Sequence, residues 1–365
     1  MTALGCGAET LWRGLLGGLS GIAPLSRFNS EHYISSLAAC IADLSAPSGT
    51  SLLDALLEQL AAQMGVVPRE ARLLAASTKG EIDQLESACR GRESLPQAVL
   101  FEPLLAKISR RFDLLDSGTN INAACASSTI ALGRGAAMIA SGQAECVLVY
   151  AADIVSEFVF SGFSALQALS AEPCRPFDKV RKGLTLGDGG VVVLLTNEAC
   201  EAYRQQPPLA MIAGWGAAND AHHVTAPARD GSGLILACQA AFARAGVEAG
   251  QIAAINAHGT GTLYNDAMEL TAFNHLFAEQ LPPLHGIKGS LGHCLGAAGG
   301  LEAVVAGYAL QQQVIPGTLG CDQPEEAGQG RLSAASQNIC GDYLLCTNSG
   351  FGGVNGALVL KRVRQ

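Results

Sequence analysis

Short runs of β-branched and aliphatic residues alternate along the chain with longer stretches in which apolar positions recur every three or four residues. This is the spacing of strands separated by helices. On that pattern strands are predicted at residues 72–77, 145–151, 190–195, 209–216, 252–257, 343–347 and 357–361. Helices are predicted at 51–64, 127–141, 232–245, 266–277 and 299–312, each with an apolar face at helical spacing. Such alternation predicts an α/β protein. Glycine, 43 of 365 residues, gathers around the β-branched runs and the alanine-rich helices, which implies closely packed layers. The run Gln205-Gln-Pro-Pro208, where a helix ends and a strand begins, divides the chain into halves at 1–207 and 208–365. No repeat of fixed period links the halves at the level of letters. Residues 46–49 and 322–330 read as surface loops.

Composition sharpens this picture. At 49% hydrophobic the chain can bury a sizeable core, and at only 15% charged much of it must be interior or packed on another subunit. A net charge of −9 gives no broad basic field, which argues against nucleic-acid binding and against a polybasic membrane surface. The first 22 residues lack the charge and apolar run of a signal peptide, and no stretch reaches the roughly 18 apolar residues of a spanning helix. A soluble, cytoplasmic protein is expected. Twelve cysteines are scattered without a Cys-x-x-Cys pair or zinc spacing, so neither a disulfide framework nor a metal site is expected.

Chemistry concentrates in four places. Cys125, in Asn122-Ala-Ala-Cys-Ala-Ser-Ser-Thr129, precedes a proline-free helix of small residues. A helix N-terminus favours the thiolate, although a free cysteine is by itself more often a small buried hydrophobe. His258, in Asn256-Ala-His-Gly-Thr-Gly-Thr262, ends an apolar strand, and its flanking glycines let a ligand approach the backbone. Lys288-Gly-Ser-Leu-Gly-His-Cys-Leu-Gly-Ala-Ala-Gly-Gly-Leu-Glu302 joins a base, His293 in a glycine-rich turn, and an acid on the next helix. A Lys288–Glu302 pair is either a plain buried ion pair or a device that sets the imidazole's orientation and protonation. Asn348-Ser-Gly-Phe-Gly-Gly-Val-Asn355 reads as a loop offering backbone N–H groups, with Phe351 as a lid.

In this order, and with Cys174-Arg-Pro-Phe-Asp178 and Gly187-Asp-Gly-Gly190 between them, these motifs resemble the elongating β-ketoacyl-[acyl-carrier-protein] synthases of the thiolase superfamily. The likeness is specific from about residue 118 onward. It implies a five-layered αβαβα thiolase-like fold with two pseudo-duplicated halves. It implies an acyl chain on Cys125, with His258 and His293 holding a malonyl-carrier carbonyl during decarboxylation and the amides of Cys125 and Phe351 forming an oxyanion hole. Lys288 and Glu302 would support the histidines, Thr260 and Thr262 would contact the pantetheine arm, and Phe351 would gate the site. Phe158, Phe160 and Phe163 are candidates for the acyl pocket. Asp266 and Glu269 either orient the Lys288 network or are merely acids at a helix start. No role is assigned to His222 or His223. No cofactor is implied beyond the phosphopantetheine arm of an acyl carrier protein, for which Arg181 and Lys182 are candidate docking residues unless that run is simply solvated. The resemblance also implies a homodimer or a heterodimer with a ketosynthase-like paralogue.

The chain departs from the family in three ways. Relatives open with a β-strand before the segment matching Thr2-Ala-Leu-Gly5, so a central strand is expected to be missing or replaced by another segment. The stretch 28–103 is compressed. Ser349 stands where the family commonly has phenylalanine, which widens the gate and marks a divergent member, of a specialised polyketide or polyene-type pathway. Two further functions compete with decarboxylative condensation. A thiolase-like coenzyme A acyltransferase would pair the cysteine with one histidine and a second cysteine, and a non-catalytic chain-length-factor-like subunit would lack the nucleophile.

Overall fold

Every residue of Cys146–Asp153 is buried, as a strand covered on both faces must be. Val147, Val149 and Ala151 face one hydrophobic cluster and Cys146, Leu148, Tyr150 and Ala152 another, so helices cover both sides of this strand. The computed structural model describes residues 1–47, 49–91, 100–197, 200 and 207–364, so part of the 205–208 boundary lies outside the described residues.

The first sheet contains β1 (Arg72–Ala76), β2 (Thr119–Asn120), β3 (Cys146–Asp153) and β4 (Gly189–Thr196), in the order β2-β1-β3-β4. β1 pairs in parallel with β2 and β3, and β3 pairs antiparallel with β4. The second sheet contains β5 (Met211–Asn219), β6 (Ile252–Asn256), β7 (Leu284–His285), β8 (Tyr343–Gly350) and β9 (Val354–Lys361), in the order β7-β6-β8-β9-β5. Its pairings repeat those of the first sheet, with β6 parallel to β7 and β8 and with β8 antiparallel to β9. The second sheet then adds β5, antiparallel to β9. In the first sheet no strand of the described residues fills the corresponding place beside β4. A Thr2–Gly189 bridge and the two bonds that Met1 and Gly190 exchange, N–H to carbonyl each way, lie there. The gap is present with no other described segment in it, but it lies at the sheet's edge rather than at its centre, because Gly189–Thr196 is the terminal strand.

The longer helices of the described residues are α1 (Ala8–Leu16), α2 (Leu52–Gln63), α3 (Ile82–Gly91), α4 (Phe101–Arg111), α5 (Ser127–Ala140), α6 (Glu157–Ala165), α7 (Ser232–Ala245), α8 (Leu263–Phe277) and α9 (Ala298–Gln312). α5 and α9 pack on each other between the sheets, α2 and α4 cover the outer face of the first, and α7 and α8 cover the outer face of the second. The layer order is the expected αβαβα. α5 and α9 are rich in Ala and Gly because small side chains let two sheets approach them from opposite sides.

Several elements differ from expectation. α1, α3, α4 and α6 were not foreseen, since each is short and sits among loop-like letters. β8 and β9 run further toward each other than the 343–347 and 357–361 expected, because antiparallel pairing carries the ladder to Gly350 and Val354. The glycine loop is thus a tight hairpin. Among the described residues no helix is long and apolar enough to cross a membrane.

Candidate active site

The parallel strands deliver the chemistry at their carboxyl ends, where α/β sheets gather functional groups. Cys125 follows β2, His258 follows β6, Lys288 follows β7 and the glycine loop follows β8. Ala124 has a φ of 49°, a left-handed conformation that costs a non-glycine residue energy and turns the chain sharply just before Cys125. The Cys125 thiol enters a cavity of about 310 Å³ whose lining also includes His258, His293, Thr260, Thr262, Phe163 and Phe351. A sulfur of Cys125 and one ring nitrogen from each histidine lie within 4.8 Å of one another. The two imidazoles meet edge to face, with centroids 5.2 Å apart at 83°.

Burial pushes the Cys125 thiol up to about 11, against the pull of Lys288. This corrects the expectation of a favoured thiolate: desolvation of a buried cysteine outweighs the helix N-terminus. The backbone N–H groups of Phe351 and of Cys125 itself, the two amides expected to form an oxyanion hole, oppose that rise. Burial, then the Lys288 charge, holds both His258 and His293 well below the ordinary histidine value, so both are neutral at physiological pH. Their tautomers follow from their partners. His258 Nδ1 faces the ammonium of Lys288 at 3.3 Å and the side-chain amide of Asn348 at 3.0 Å, both donors. His293 Nδ1 accepts from the Leu295 N–H at 3.3 Å. Each proton therefore resides on Nε2, and His293 Nε2 is buried with no partner among the described residues. Cys, His and His could hold zinc by identity, but imidazoles protonated on Nε2 present hydrogen-bond donors there rather than metal lone pairs.

Lys288 is 1% exposed and spends its three donors inside this cluster. It bonds Glu302 Oε1 at 2.6 Å, the His258 carbonyl, and His258 Nδ1. Glu302 also accepts from Asn348 at 2.7 Å. Asp266 and Glu269 hold the His258 loop rather than Lys288. Glu269 accepts from the amides of His258 and Gly259 at 2.7 Å, and Asp266 from those of Thr260, Gly261 and Phe177. The Thr260 and Thr262 hydroxyls lie 2.9 Å apart on the cavity wall.

Of the three candidate aromatics only Phe163 reaches the cavity, stacked on Phe351 with centroids 5.6 Å apart. Phe160 is buried beside Phe28 and Tyr33, and Phe158 is 52% exposed, because α6 turns them onto other faces. Arg181 is corrected as a surface candidate. It is 4% exposed and donates to the carbonyls of Thr262 and Leu263, clamping the His258 loop from behind. Lys182 does lie at the cavity mouth, bonded to Glu172. His223 caps a turn by accepting from the Thr225 and Ala226 amides.

Four residues escaped the sequence reading. Thr129 and Asn348 join the His258 cluster, while Asp220 and Asn355 brace the glycine loop. Ser349 donates to Asn355 at 2.7 Å, Asn355 donates to Asp220 at 2.6 Å, and the Asp220 N–H bonds the Gly353 carbonyl at 2.8 Å. Asn348 and Asn355 bracket the Gly-Phe-Gly-Gly run, so the motif itself carried a signal for them. Thr129, four residues beyond the nucleophile, and Asp220 did not stand out.

Residues 101–199 match the family described as beta-ketoacyl synthase, N-terminal domain, and residues 209–322 match beta-ketoacyl synthase, C-terminal domain. The 3-oxoacyl-[acyl-carrier-protein] synthase 2 of Vibrio harveyi is 32% identical over 403 residues, taking in 100% of this chain and 97% of that one. Among solved structures, the ishigamide ketosynthase/chain length factor superposes with a TM-score of 0.90 at 26% identity, covering 100% of this chain and 97% of that one. A ketosynthase in complex with its chain length factor from Xenorhabdus doucetiae superposes with a TM-score of 0.82 at 26% identity, covering 100% and 96%.

Proposed function

The chain belongs to the β-ketoacyl synthase family of thiolase-like condensing enzymes, and on that footing we propose that Cys125, His258 and His293 carry out its decarboxylative condensation. The observation that carries these assignments is a pair of imidazoles beside one thiol, each with its Nδ1 facing a donor and its Nε2 left to donate. In the first half-reaction Cys125 exchanges with an acyl thioester, its proton leaving on the departing pantetheine thiol. Because one thiol replaces another, no net proton is consumed. A malonyl thioester then enters, and its carbonyl oxygen accepts from His258 and His293 Nε2. As carbon dioxide departs, the enolate charge falls on those neutral, preorganised donors. The α-carbon attacks the acyl carbonyl on Cys125, whose developing oxyanion faces the Cys125 and Phe351 amides. Collapse of that adduct releases the 3-oxoacyl thioester, and one proton restores the thiol.

Thr260 and Thr262 line the approach to the histidines and suit the amide-rich pantetheine arm, and Phe163 with Phe351 forms the aromatic wall over the acyl chain. No cofactor enters this scheme beyond the arm of the carrier protein, the partner named in the Vibrio relative's own description. In keeping with the two ketosynthase/chain-length-factor structures, the subunit pairs with itself or with a ketosynthase-like paralogue. Residues 1–207 and 208–365 act as the two halves, one supplying the nucleophile and the other the histidines. A cytoplasmic setting suits a reaction between carrier-bound thioesters.

The deciding experiment incubates the purified chain with acyl carriers of graded chain length and locates the adduct by mass spectrometry. Carbon dioxide release from a malonyl carrier is measured in parallel. An adduct on Cys125 that is absent in Cys125→Ala, together with carbon dioxide release, is expected. An unmodified wild type across all donors favours the non-catalytic partner subunit, and an adduct without decarboxylation favours a coenzyme A acyltransferase.

A further inference from the structure

Asn348 does not line the cavity, yet it is fully buried and bonded to both His258 and Glu302. Its Oδ1 accepts from the hydroxyl of Thr129, a residue on α5 one turn beyond Cys125. A hydroxyl can donate or accept, so the sense of the amide is set at its other end, by Glu302. The two hydrogens of Nδ2 are consequently aimed the other way, one at Glu302 Oε2 at 2.7 Å and one at His258 Nδ1 at 3.0 Å. Glu302 makes the choice because a carboxylate accepts from the NH₂ group and repels the carbonyl oxygen.

The space for this arrangement is made by Gly299. A Cβ there would lie 1.9 Å from Thr129 Oγ1 and 2.5 Å from Asn348 Oδ1, so any side chain at that position would drive the pair apart. α5 and α9 thus meet at a glycine where the hydroxyl must reach the amide. The residues that meet come from the nucleophile's helix, from the Glu302 helix and from the end of β8, so both halves of the molecule contribute.

From this geometry we propose that the Thr129–Asn348 pair is the positioning device that holds His258 in its Nε2–H tautomer, and hence as a donor to the substrate carbonyl. Lys288 also faces His258 Nδ1, at 3.3 Å, but its ammonium is shared with Glu302 and the His258 carbonyl. Asn348 supplies the closer contact, Glu302 Oε2 fixes its sense by accepting from Nδ2, and Thr129 seats the amide oxygen on the far side. The roles given to Thr129 and Asn348 rest on the condensing function proposed above, whereas the tautomer is a property of the resting protein.

The test combines a spectroscopic and a kinetic readout on the full chain. Long-range proton–nitrogen correlation spectra of protein labelled at its seven histidines report each tautomer, with the His258 signal identified by its loss in His258→Ala. Wild type is expected to show His258 protonated at Nε2. Asn348→Asp replaces the donor with an acceptor and is expected to move that proton to Nδ1. Thr129→Val removes the donor that seats Asn348 Oδ1 and is expected to loosen the amide's hold on His258 Nδ1, and Thr129→Ser retains the hydroxyl and restores wild-type behaviour. Malonyl-carrier decarboxylation is expected to fall about 100- to 1,000-fold in Asn348→Asp, the loss typical of one misdirected oxyanion donor, while acyl loading of Cys125 stays within about threefold. Should Asn348→Asp fail to fold, Thr129→Val against Thr129→Ser makes the same comparison. A His258 that stays protonated at Nε2 in these variants, or loading and decarboxylation that fall together, overturns the proposal. A wild type that shows the Nε2–H tautomer but neither loads nor decarboxylates overturns instead the condensing role of the site.

Discussion

Replacing Lys288 with methionine removes a buried cation while nearly preserving side-chain length. The ammonium lies 2.6 Å from Glu302, and the side chains of Lys288 and Glu302 are 2% and 1% exposed. Removing one member of such a pair leaves an uncompensated buried charge and costs about 3–5 kcal/mol. Here the His258 carbonyl also loses a partner, so the upper end of that range is expected. For a chain of this size the loss corresponds to an apparent melting temperature lower by on the order of 10 °C. The penalty carries its own pH signature. Burial already raises the Glu302 carboxyl above its ordinary value, and Lys288 opposes that rise, so deleting Lys288 raises it further. A carboxyl whose folded value exceeds its unfolded one stabilises the fold when protonated, and that stability is lost as pH climbs through the folded value. Lys288→Met should therefore be least impaired in mild acid and most impaired at alkaline pH. Denaturant or thermal melts at about pH 5.5 and 8 measure both quantities. The double variant Lys288→Met/Glu302→Leu should recover most of the loss. A single variant within about 1 kcal/mol of wild type, or a deficit independent of pH, refutes the account of a closed ion pair.

Because both histidines are held neutral, malonyl decarboxylation should remain flat as pH falls through 6.5; an acid limb centred there would mean that an imidazole titrates normally. With its thiol pushed up to about 11, Cys125 should alkylate slowly at neutral pH and progressively faster in base; peptide mapping that finds a rate plateau below about pH 9 contradicts the burial argument. Arg181→Ala removes a buried donor from the Thr262 and Leu263 carbonyls and should lower the melting temperature clearly, while Lys182→Ala, whose pair with Glu172 is 63% and 61% exposed, should cost about 0–1 kcal/mol. Equal losses in Arg181→Ala and Lys182→Ala would return Arg181 to the surface.

The sequence made legible what depends on local pattern. β3 and β6 announced themselves as uncharged aliphatic runs, and α5 and α9 as small-residue helices, so the layers could be read. His258, His293, Lys288 and Glu302 were legible because glycines flank them at fixed spacing. What stayed hidden depends on distance in space. Arg181 sits in a charged run that looks solvated, and only the close approach of the His258 loop buries it. Phe158, Phe160 and Phe163 carry identical chemistry, and helical rotation alone decides which meets the cavity. The Thr129–Asn348 bond joins residues 219 apart in sequence, and neither letter hints at the other. The thiol's resistance to ionisation likewise follows from three-dimensional burial rather than from the helix that follows it.

The vacant lane beside β4 bears on how the protein behaves in a tube. Its outer edge is Val191-Val-Val-Leu-Leu-Thr196, six consecutive uncharged residues. Past Gly190 no described strand pairs with that side. Backbone donors and acceptors in an extended, flat, aliphatic edge are a template for a foreign strand, and natural sheets usually blunt such edges with lysine, proline or a bulge. Purified chain should therefore form concentration-dependent assemblies that grow edge to edge and enrich in intermolecular β-structure by infrared spectroscopy. A lysine placed by Val193→Lys should keep it dispersed, so the colloidal fate of this enzyme hangs on one strand far from its chemistry.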